Sequence, residues 1–252
     1  MNIAIGIPAY NEEKNIGSII VKLKKLANTI IICDDGSTDS TAEIAKGLGA
    51  IVISHSKNQG YGAAIKTIFL ESKNKKVDIL ITFDADGQHQ IEDIAEVLKP
   101  INLDNADIVI GSRFLNNETK IPTYRKIGVK AITQLTNITT GSNITDSQSG
   151  FRAYNKLALK RIIPTESGMG ISTEILIKAG RLDLKIIEVP ITIDYFGDTS
   201  THNAVSHGTS VLISTIKFTS IEHPLKFYGV PAIIFLILGI SFTYFAIEYY
   251  AE

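Results

Sequence analysis

Val77-Asp78-Ile79-Leu80-Ile81-Thr82-Phe83 runs directly into Asp84-Ala85-Asp86-Gly87-Gln88-His89, and the change of character at residue 84 sets the reading of the whole chain. Residues 77–83 have the length and β-branched content of a buried strand. Carboxylates follow as soon as the backbone leaves the core. Moving outward, runs of the same kind lie at Ile3 to Ile7, Thr29 to Cys33, Ala50 to Ser54 and Asp107 to Ile110. Between them, apolar residues recur at helical spacing: Ile16, Ile19, Ile20, Leu23 and Leu26; Ile44, Ala45 and Leu48; Ala64, Ile65, Ile68 and Phe69. This βαβα alternation predicts an α/β domain whose mostly parallel sheet carries helices on both faces, with ligands beyond the carboxyl ends of the strands.

The strand ends carry the chemistry. Asp84 and Asp86, one residue apart on an extended-to-turn segment, can face one Mg²⁺ or Mn²⁺ ion while diphosphate oxygens fill other positions, and Gln88 adds a neutral oxygen. A polar turn before a capped helix would use the same residues. The first strand enters Pro8-Ala9-Tyr10-Asn11-Glu12-Glu13, where a dinucleotide-binding fold would place a glycine-rich turn. Its proline, aromatic ring and carboxylate suit a nucleoside, or else a connector capped by Asn11 or Glu12. The second strand ends in Cys33-Asp34-Asp35-Gly36-Ser37-Thr38-Asp39. Helix capping accounts for one acid there. Adjacent Asp34 and Asp35 need a further partner such as a base N–H, a ribose hydroxyl or a cation. Arg113, closing Gly111-Ser112-Arg113, and Arg125 in the next helical segment suit phosphate, or stand as solvated surface arginines, the better reading for Arg125 taken alone. Asp146-Ser147-Gln148-Ser149-Gly150-Phe151-Arg152 offers hydrogen-bonding groups around a glycine that permits close backbone approach, or a structural turn with an internal Asp–Arg pair.

Lysine plus arginine number 25 against 26 acidic residues in 252, so no general basic surface recommends a nucleic-acid partner. Cys33, the single cysteine, reads as a small buried side chain in a reducing compartment. The amino-terminal stretch lacks the pattern of a signal peptide. Residues 227–247 carry no formal charge and reach across a hydrocarbon core of about 30 Å. The expected organisation is a catalytic domain over 1–200, an amphipathic juxtamembrane segment over 201–226 and a transmembrane helix over 227–247. Lys217 and Lys226 before the span, against Glu248 and Glu252 after it, favour a cytoplasmic catalytic domain on a cell membrane. The segment Val205 to Phe218 could lie along the membrane surface or pack in the core.

In order, Pro8-Ala9-Tyr10-Asn11-Glu12, Asp34-Asp35-Gly36-Ser37, Asn58-Gln59-Gly60-Tyr61-Gly62, Asp84-Ala85-Asp86-Gly87-Gln88, Gly111-Ser112-Arg113 and Gln148-Ser149-Gly150-Phe151-Arg152 resemble family 2 glycosyltransferases, above all the dolichyl-phosphate sugar synthases. The resemblance covers roughly residues 1–195 and implies a GT-A fold. It places Pro8, Ala9, Tyr10, Glu12, Cys33, Asp35, Asp84, Ala85, Asp86 and Arg113 around the nucleotide sugar. It gives Asp84, Asp86 and Gln88 to the metal, and Arg113 and Arg125 to the acceptor phosphate. The implied reaction is inverting transfer from GDP-mannose, UDP-glucose or UDP-N-acetylglucosamine to a polyprenyl phosphate, with Asp84, Asp86, Arg113 and Arg125 as the catalytic set. An ionised phosphate needs positioning more than a general base, a role for which Asp146 is the one candidate. The chain departs from the pattern after Val189-Pro190-Ile191, where many relatives carry a basic residue; His202 or His207 could substitute as a donor to phosphate, or both are solvated loop histidines. Processive polysaccharide synthases use a Gln-x-x-Arg-Trp element, and this chain has no tryptophan. The rival readings are transfer to another membrane lipid or glycan, and a non-catalytic membrane scaffold.

Overall fold

The computed structural model describes residues 1–115, 123–193 and 204–251, in the last two stretches without the side chains of residues 125, 204–208, 210 and 226. In chain order the elements are β1 (Ile3–Ala9), α1 (Ile16–Leu23), β2 (Thr29–Asp34), α2 (Thr41–Gly47), β3 (Ile51–Ser54), α3 (Tyr61–Asn74), β4 (Ile79–Thr82), α4 (Ile94–Asn102), β5 (Ile108–Ser112), α5 (Thr123–Thr140), β6 (Arg152–Asn155), α6 (Lys156–Arg161), α7 (Ile171–Arg181), β7 (Ile186–Pro190), α8 (Ala204–Glu222) and α9 (Val230–Ala251). The strands form one seven-stranded sheet in the order β3-β2-β1-β4-β6-β5-β7. All neighbours are parallel except β6, which runs antiparallel to both β4 and β5.

Successive strand residues feed opposite faces, as the two-residue period of a strand requires. Ile30 and Ile32 join the α1 and α4 side of the core, whereas Ile31 and Cys33 join the side formed by α3, α6 and α7. Burial on both faces explains why these strands read as continuous apolar runs. Pro190 ends β7, an edge strand, where its missing N–H costs no ladder bond. Chain order reverses around β1, which lies between β2 and β4, so their carboxyl ends open a crevice at the switch point.

By contacts the chain divides into Met1–Thr215 and a second unit starting at Ile216. Within the first unit, α8 shows two faces. Val211 and Thr215 are buried, with the Thr215 hydroxyl 3.5 Å from that of Thr173, while Leu212 and Ile213 are exposed. The buried face agrees with the core-packing reading of this segment. In the second unit, Phe227–Ala251 form a continuous helical stretch of 25 residues, mean hydropathy 2.3, with no residue of its apolar window buried. It is long and apolar enough to cross a membrane. Tyr228 near one end and Tyr249 and Tyr250 near the other stand where a spanning helix would carry interfacial aromatic anchors.

Candidate active site

The crevice is built by loops laced to each other. Beyond β1, Asn11 takes the left-handed conformation at φ 56°, which asparagine tolerates, and its amide side chain accepts from Thr38 N–H at 2.9 Å. The Asn11 N–H donates to Ser37 Oγ at 2.9 Å, and Asp39 accepts from both Glu13 and Thr41 N–H groups. Asp39 therefore serves the start of α2, as one sequence reading expected. These bonds leave the Tyr10 ring exposed beside half-buried Pro8 and buried Ala9, with Glu12 at the rim.

Asp35 finds its partners inside the protein. Its carboxylate accepts from Gln59 N–H at 2.9 Å and Gly60 N–H at 2.8 Å, and lies 2.6 Å from His55 Nδ1. The like-charge argument called for a ligand or cation at Asp34 and Asp35. These three groups, with the Ser37 N–H donating to Asp34, already satisfy that need. Asp35 thus holds the Asn58–Gly62 loop against the second strand. Gly36, at φ +74°, permits this closure, because a Cβ would lie 2.5 Å from the Lys57 backbone. Cys33 has no exposed surface and lies within the α3 side of the core, where burial pushes its thiol up to about 12. Its side chain therefore offers nothing to a nucleoside directly.

Asp84 marks the centre. Its Oδ1 lies 3.3 Å from Tyr61 Oη and its Oδ2 lies 3.2 Å from His89 Nε2. Burial opposes its ionisation, but hydrogen bonds from His89 and Tyr61 and the positive charge of Arg113 outweigh that, and the carboxyl titrates below the usual aspartate value. Asp86 behaves oppositely: burial, then the charge of Asp84, raise its pKa, against a 3.0 Å hydrogen bond from the Gln88 N–H. Glu12 is also raised, first by burial, with Asp86, Asp39 and Asp84 adding repulsion. Glu12, Asp84 and Asp86 thus share one electrostatic site, which a cation would relieve.

Beneath Asp84 passes the loop that precedes β6. Thr82 Oγ1 donates to the Gly150 carbonyl at 2.6 Å. A Cβ on Gly150 would lie 2.6 Å from Tyr61 Oη and 2.8 Å from Asp84 Oδ2, so only glycine fits. The loop is fixed from several directions. Arg113 Nε and Nη2 donate to Asp146 at 2.6 and 2.7 Å, a bidentate pair with Asp146 fully buried. Glu188 accepts from the Thr145 and Asp146 N–H groups, and burial first of all raises its pKa. Arg152, fully enclosed, donates to the carbonyls of Ser147, Ser149 and Ser172 at 2.7 to 2.9 Å. The expected internal Asp–Arg pair exists, but its arginine is Arg113. As the partner of that cation Asp146 is an orienting group, which removes it as a general base. Arg152→Met is expected to destabilise the full chain by about 4 kcal/mol by leaving three buried carbonyls unmatched, measured by denaturant unfolding in detergent.

The donor set fits a small divalent cation shared with a diphosphate. Among the described residues no three His, Cys, Asp or Glu side chains form a metal cluster, and Mg²⁺ and Mn²⁺ typically use one or two carboxylates with substrate phosphates completing the shell. Asp84 and Asp86 supply that pair, and Gln88 follows two residues on. Arg125 sits on α5, but its side chain lies outside the described residues, as do His202 and the side chain of His207. Ile193 pairs with His89 in an isolated antiparallel bridge. Tyr61 and His89 carry no role in the sequence reading, although both lie inside quoted stretches. The glycines flanking Tyr61 were the available signal.

The profile of Glycosyl transferase family 2 matches residues 4–163. The chain belongs to that family. It is 38% identical, over 82% of its length and 89% of the relative's, to the UDP-N-acetylglucosamine–dolichyl-phosphate N-acetylglucosaminyltransferase of Methanococcus voltae. It is 33% identical, over 75% of its length and 82% of the relative's, to the dolichyl-phosphate hexose transferase of Haloferax volcanii. Glucosyl-3-phosphoglycerate synthase of Mycobacterium tuberculosis, solved with Mn²⁺, UDP and phosphoglyceric acid, shares the fold with a TM-score of 0.70 at 20% identity, covering 86% of this chain and 78% of that one. The GT-A architecture and the glycosyltransferase class expected from the motifs are thereby established.

Proposed function

We propose that this chain transfers a sugar from a nucleoside diphosphate, GDP-mannose, UDP-glucose or UDP-N-acetylglucosamine, to a polyprenyl phosphate such as dolichyl phosphate, at the cytoplasmic face of a membrane. The observation that carries the reading is the meeting of Glu12, Asp84, Asp86 and Arg113 in one field at the switch point, in a chain with a helix apolar enough to span. The names of the two archaeal relatives point to the same acceptor class. Mn²⁺ and UDP in the structural neighbour agree with a metal-assisted donor site.

In this reading Tyr10 and Pro8 take the nucleoside, and Asp35 works by holding the Asn58–Gly62 loop in place. Asp84, Asp86 and Gln88 would hold Mg²⁺ or Mn²⁺, which when bound neutralises charge on the departing diphosphate. Arg113, its orientation fixed by Asp146, and Arg125 receive the acceptor phosphate. A phosphate oxygen attacks the anomeric carbon opposite the leaving group. One C–O bond forms, the bond to the nucleotide's β-phosphate oxygen breaks, and the configuration inverts. The acceptor is already ionised, so no side chain must remove a proton.

Initial rates with polyprenyl phosphate, the matching polyprenol and diacylglycerol, at saturating donor, test the acceptor assignment. Turnover with the phosphate alone is expected; equal use of diacylglycerol would transfer the reading to another membrane lipid. Arg125→Ala is expected to raise KM for the lipid phosphate about tenfold, roughly 1.4 kcal/mol, with kcat changed less.

A further inference from the structure

His89 is placed oddly for a residue that only fills space. Its ring is 5% exposed and lies 5.5 Å from the Phe83 ring and 5.1 Å from the Phe151 ring, centroid to centroid. Its Nε2 is 3.2 Å from Asp84 Oδ2, while Nδ1 is buried with no hydrogen-bond partner among the described residues. The ionised Asp84 carboxylate only accepts, so Nε2 carries the hydrogen of that bond. An unmatched buried polar atom costs about 1–3 kcal/mol, which phenylalanine or leucine would avoid at an aromatic site. The bond to Asp84 is what histidine supplies and they cannot.

Tyr61 grips the other oxygen. Its hydroxyl lies 3.3 Å from Asp84 Oδ1, and Gly150 closes the space below both. A carboxylate has about four lone-pair sites, of which these two donors use two. The backbone bridge between His89 and Ile193 anchors the donor from the far side. The carboxylate plane is therefore set before any ligand arrives.

We infer that His89, acting with Tyr61, is a positioning residue that locks the Asp84 carboxylate in one orientation and leaves its remaining lone pairs for the cation. This rests on the donor-site reading above. Hydrogen-bond partners of metal ligands act in this way generally, and their loss costs 10–100-fold in metal affinity or activity.

The test uses the full chain in detergent and measures Mn²⁺ binding from the loss of the free-ion electron paramagnetic resonance signal, with Mn²⁺ alone and with UDP or GDP. His89→Leu keeps the apolar packing and removes the donor; it is expected to weaken Mn²⁺ binding about 10–100-fold. The same variant should lower kcat while leaving KM for the lipid within about twofold. His89→Gln, whose amide nitrogen can reach the position of Nε2, is expected to recover binding to within about threefold of wild type. His89→Leu binding Mn²⁺ as wild type does, or His89→Gln as weak as His89→Leu, overturns the inference. Should His89→Leu fail to fold, Tyr61→Phe decides beside His89→Gln: weakened binding in the former with recovery in the latter supports it, and unchanged binding in Tyr61→Phe overturns it. A wild-type chain that binds no Mn²⁺ with either nucleotide and turns over in chelator removes the metal reading itself. That result is distinct from any pattern among the variants.

Discussion

Asp86→Ala is expected to lower kcat/KM by about 10³-fold, roughly 4 kcal/mol of transition-state stabilisation, the largest single effect proposed for this chain. Asp86 is held at a raised pKa by burial first and by the charge of Asp84 second, so the site is short of positive charge. Removing one of two carboxylates leaves a cation with Asp84 and substrate oxygens alone. The same raised pKa predicts a pH signature. A carboxyl whose folded pKa lies above its unfolded value contributes stability that is present below the unfolded value and lost as pH rises through the folded one. Between the usual aspartate value and that raised one, the Asp86 contribution to the stability of the metal-free protein should therefore fall as pH rises, read as the difference between wild type and Asp86→Ala. Asp86→Ala should lack that contribution, and saturating Mn²⁺ should reverse it in wild type alone. Thermal unfolding across that pH interval, with and without Mn²⁺, checks the sign; the same slope in wild type and variant would contradict it.

Gly150→Ala should lower kcat by about 10²-fold although Gly150 bears no reactive group. The added methyl would lie 2.6 Å from Tyr61 Oη and 2.8 and 2.9 Å from the Asp84 oxygens, so the carboxylate must move. Displacements of about 1 Å at a reacting centre are enough for a loss of that size. KM for the nucleotide should rise as well if, as proposed, this carboxylate holds the cation that the diphosphate shares, whereas KM for the lipid should hold. Steady-state kinetics with each substrate varied in turn gives the three numbers; a variant within threefold of wild type in kcat would show that the carboxylate relocates without consequence.

The parts of this fold that show in the sequence are those that one strand or helix specifies alone. β1, β2, β4 and β5 are buried on both faces, so their apolar runs are continuous, the edge strand β3 is half-buried, and α1 and α3 carry one apolar stripe each. β6 was not legible. It has four residues, one of them the enclosed Arg152, and it exists because β4 and β5 leave a gap that it fills in the antiparallel sense. Within the site, the acids at the ends of β2 and β4 read equally as ligands. The structure separates them, since Asp35 is matched by His55 and two backbone N–H groups while Asp86 is left repelled by Asp84. That difference depends on residues some twenty positions away along the chain, which no local motif contains. The same holds for Asp146, whose partner is Arg113 rather than the neighbouring Arg152. Tyr61 and His89 stayed hidden for a related reason: their role is a contact with Asp84, visible only once α3 and the turn after β4 face each other.

Glu174 illustrates how much of the remaining chain is scaffold for the crevice. Its buried carboxylate accepts from the Thr165 and Glu166 N–H groups and from Lys178 Nζ at 2.6 Å. Burial opposes its charge, but these bonds hold its pKa below the usual glutamate value. The loop it secures presents the Ser167 carbonyl to the Ala63 N–H at 3.1 Å, at the start of the helix that carries Tyr61.

The central claim is that a nucleotide sugar gives its sugar to a lipid phosphate here. Purified full-length protein in detergent, with Mn²⁺, dolichyl phosphate and GDP-mannose, UDP-glucose or UDP-N-acetylglucosamine in separate reactions, should yield a glycosyl phosphoryl polyprenol detected by mass spectrometry. One donor should dominate, chelator should stop the reaction, and Asp86→Ala should form product about 10³-fold more slowly. A folded protein that forms no such lipid from any of the donors, with dolichyl or undecaprenyl phosphate, would contradict the account.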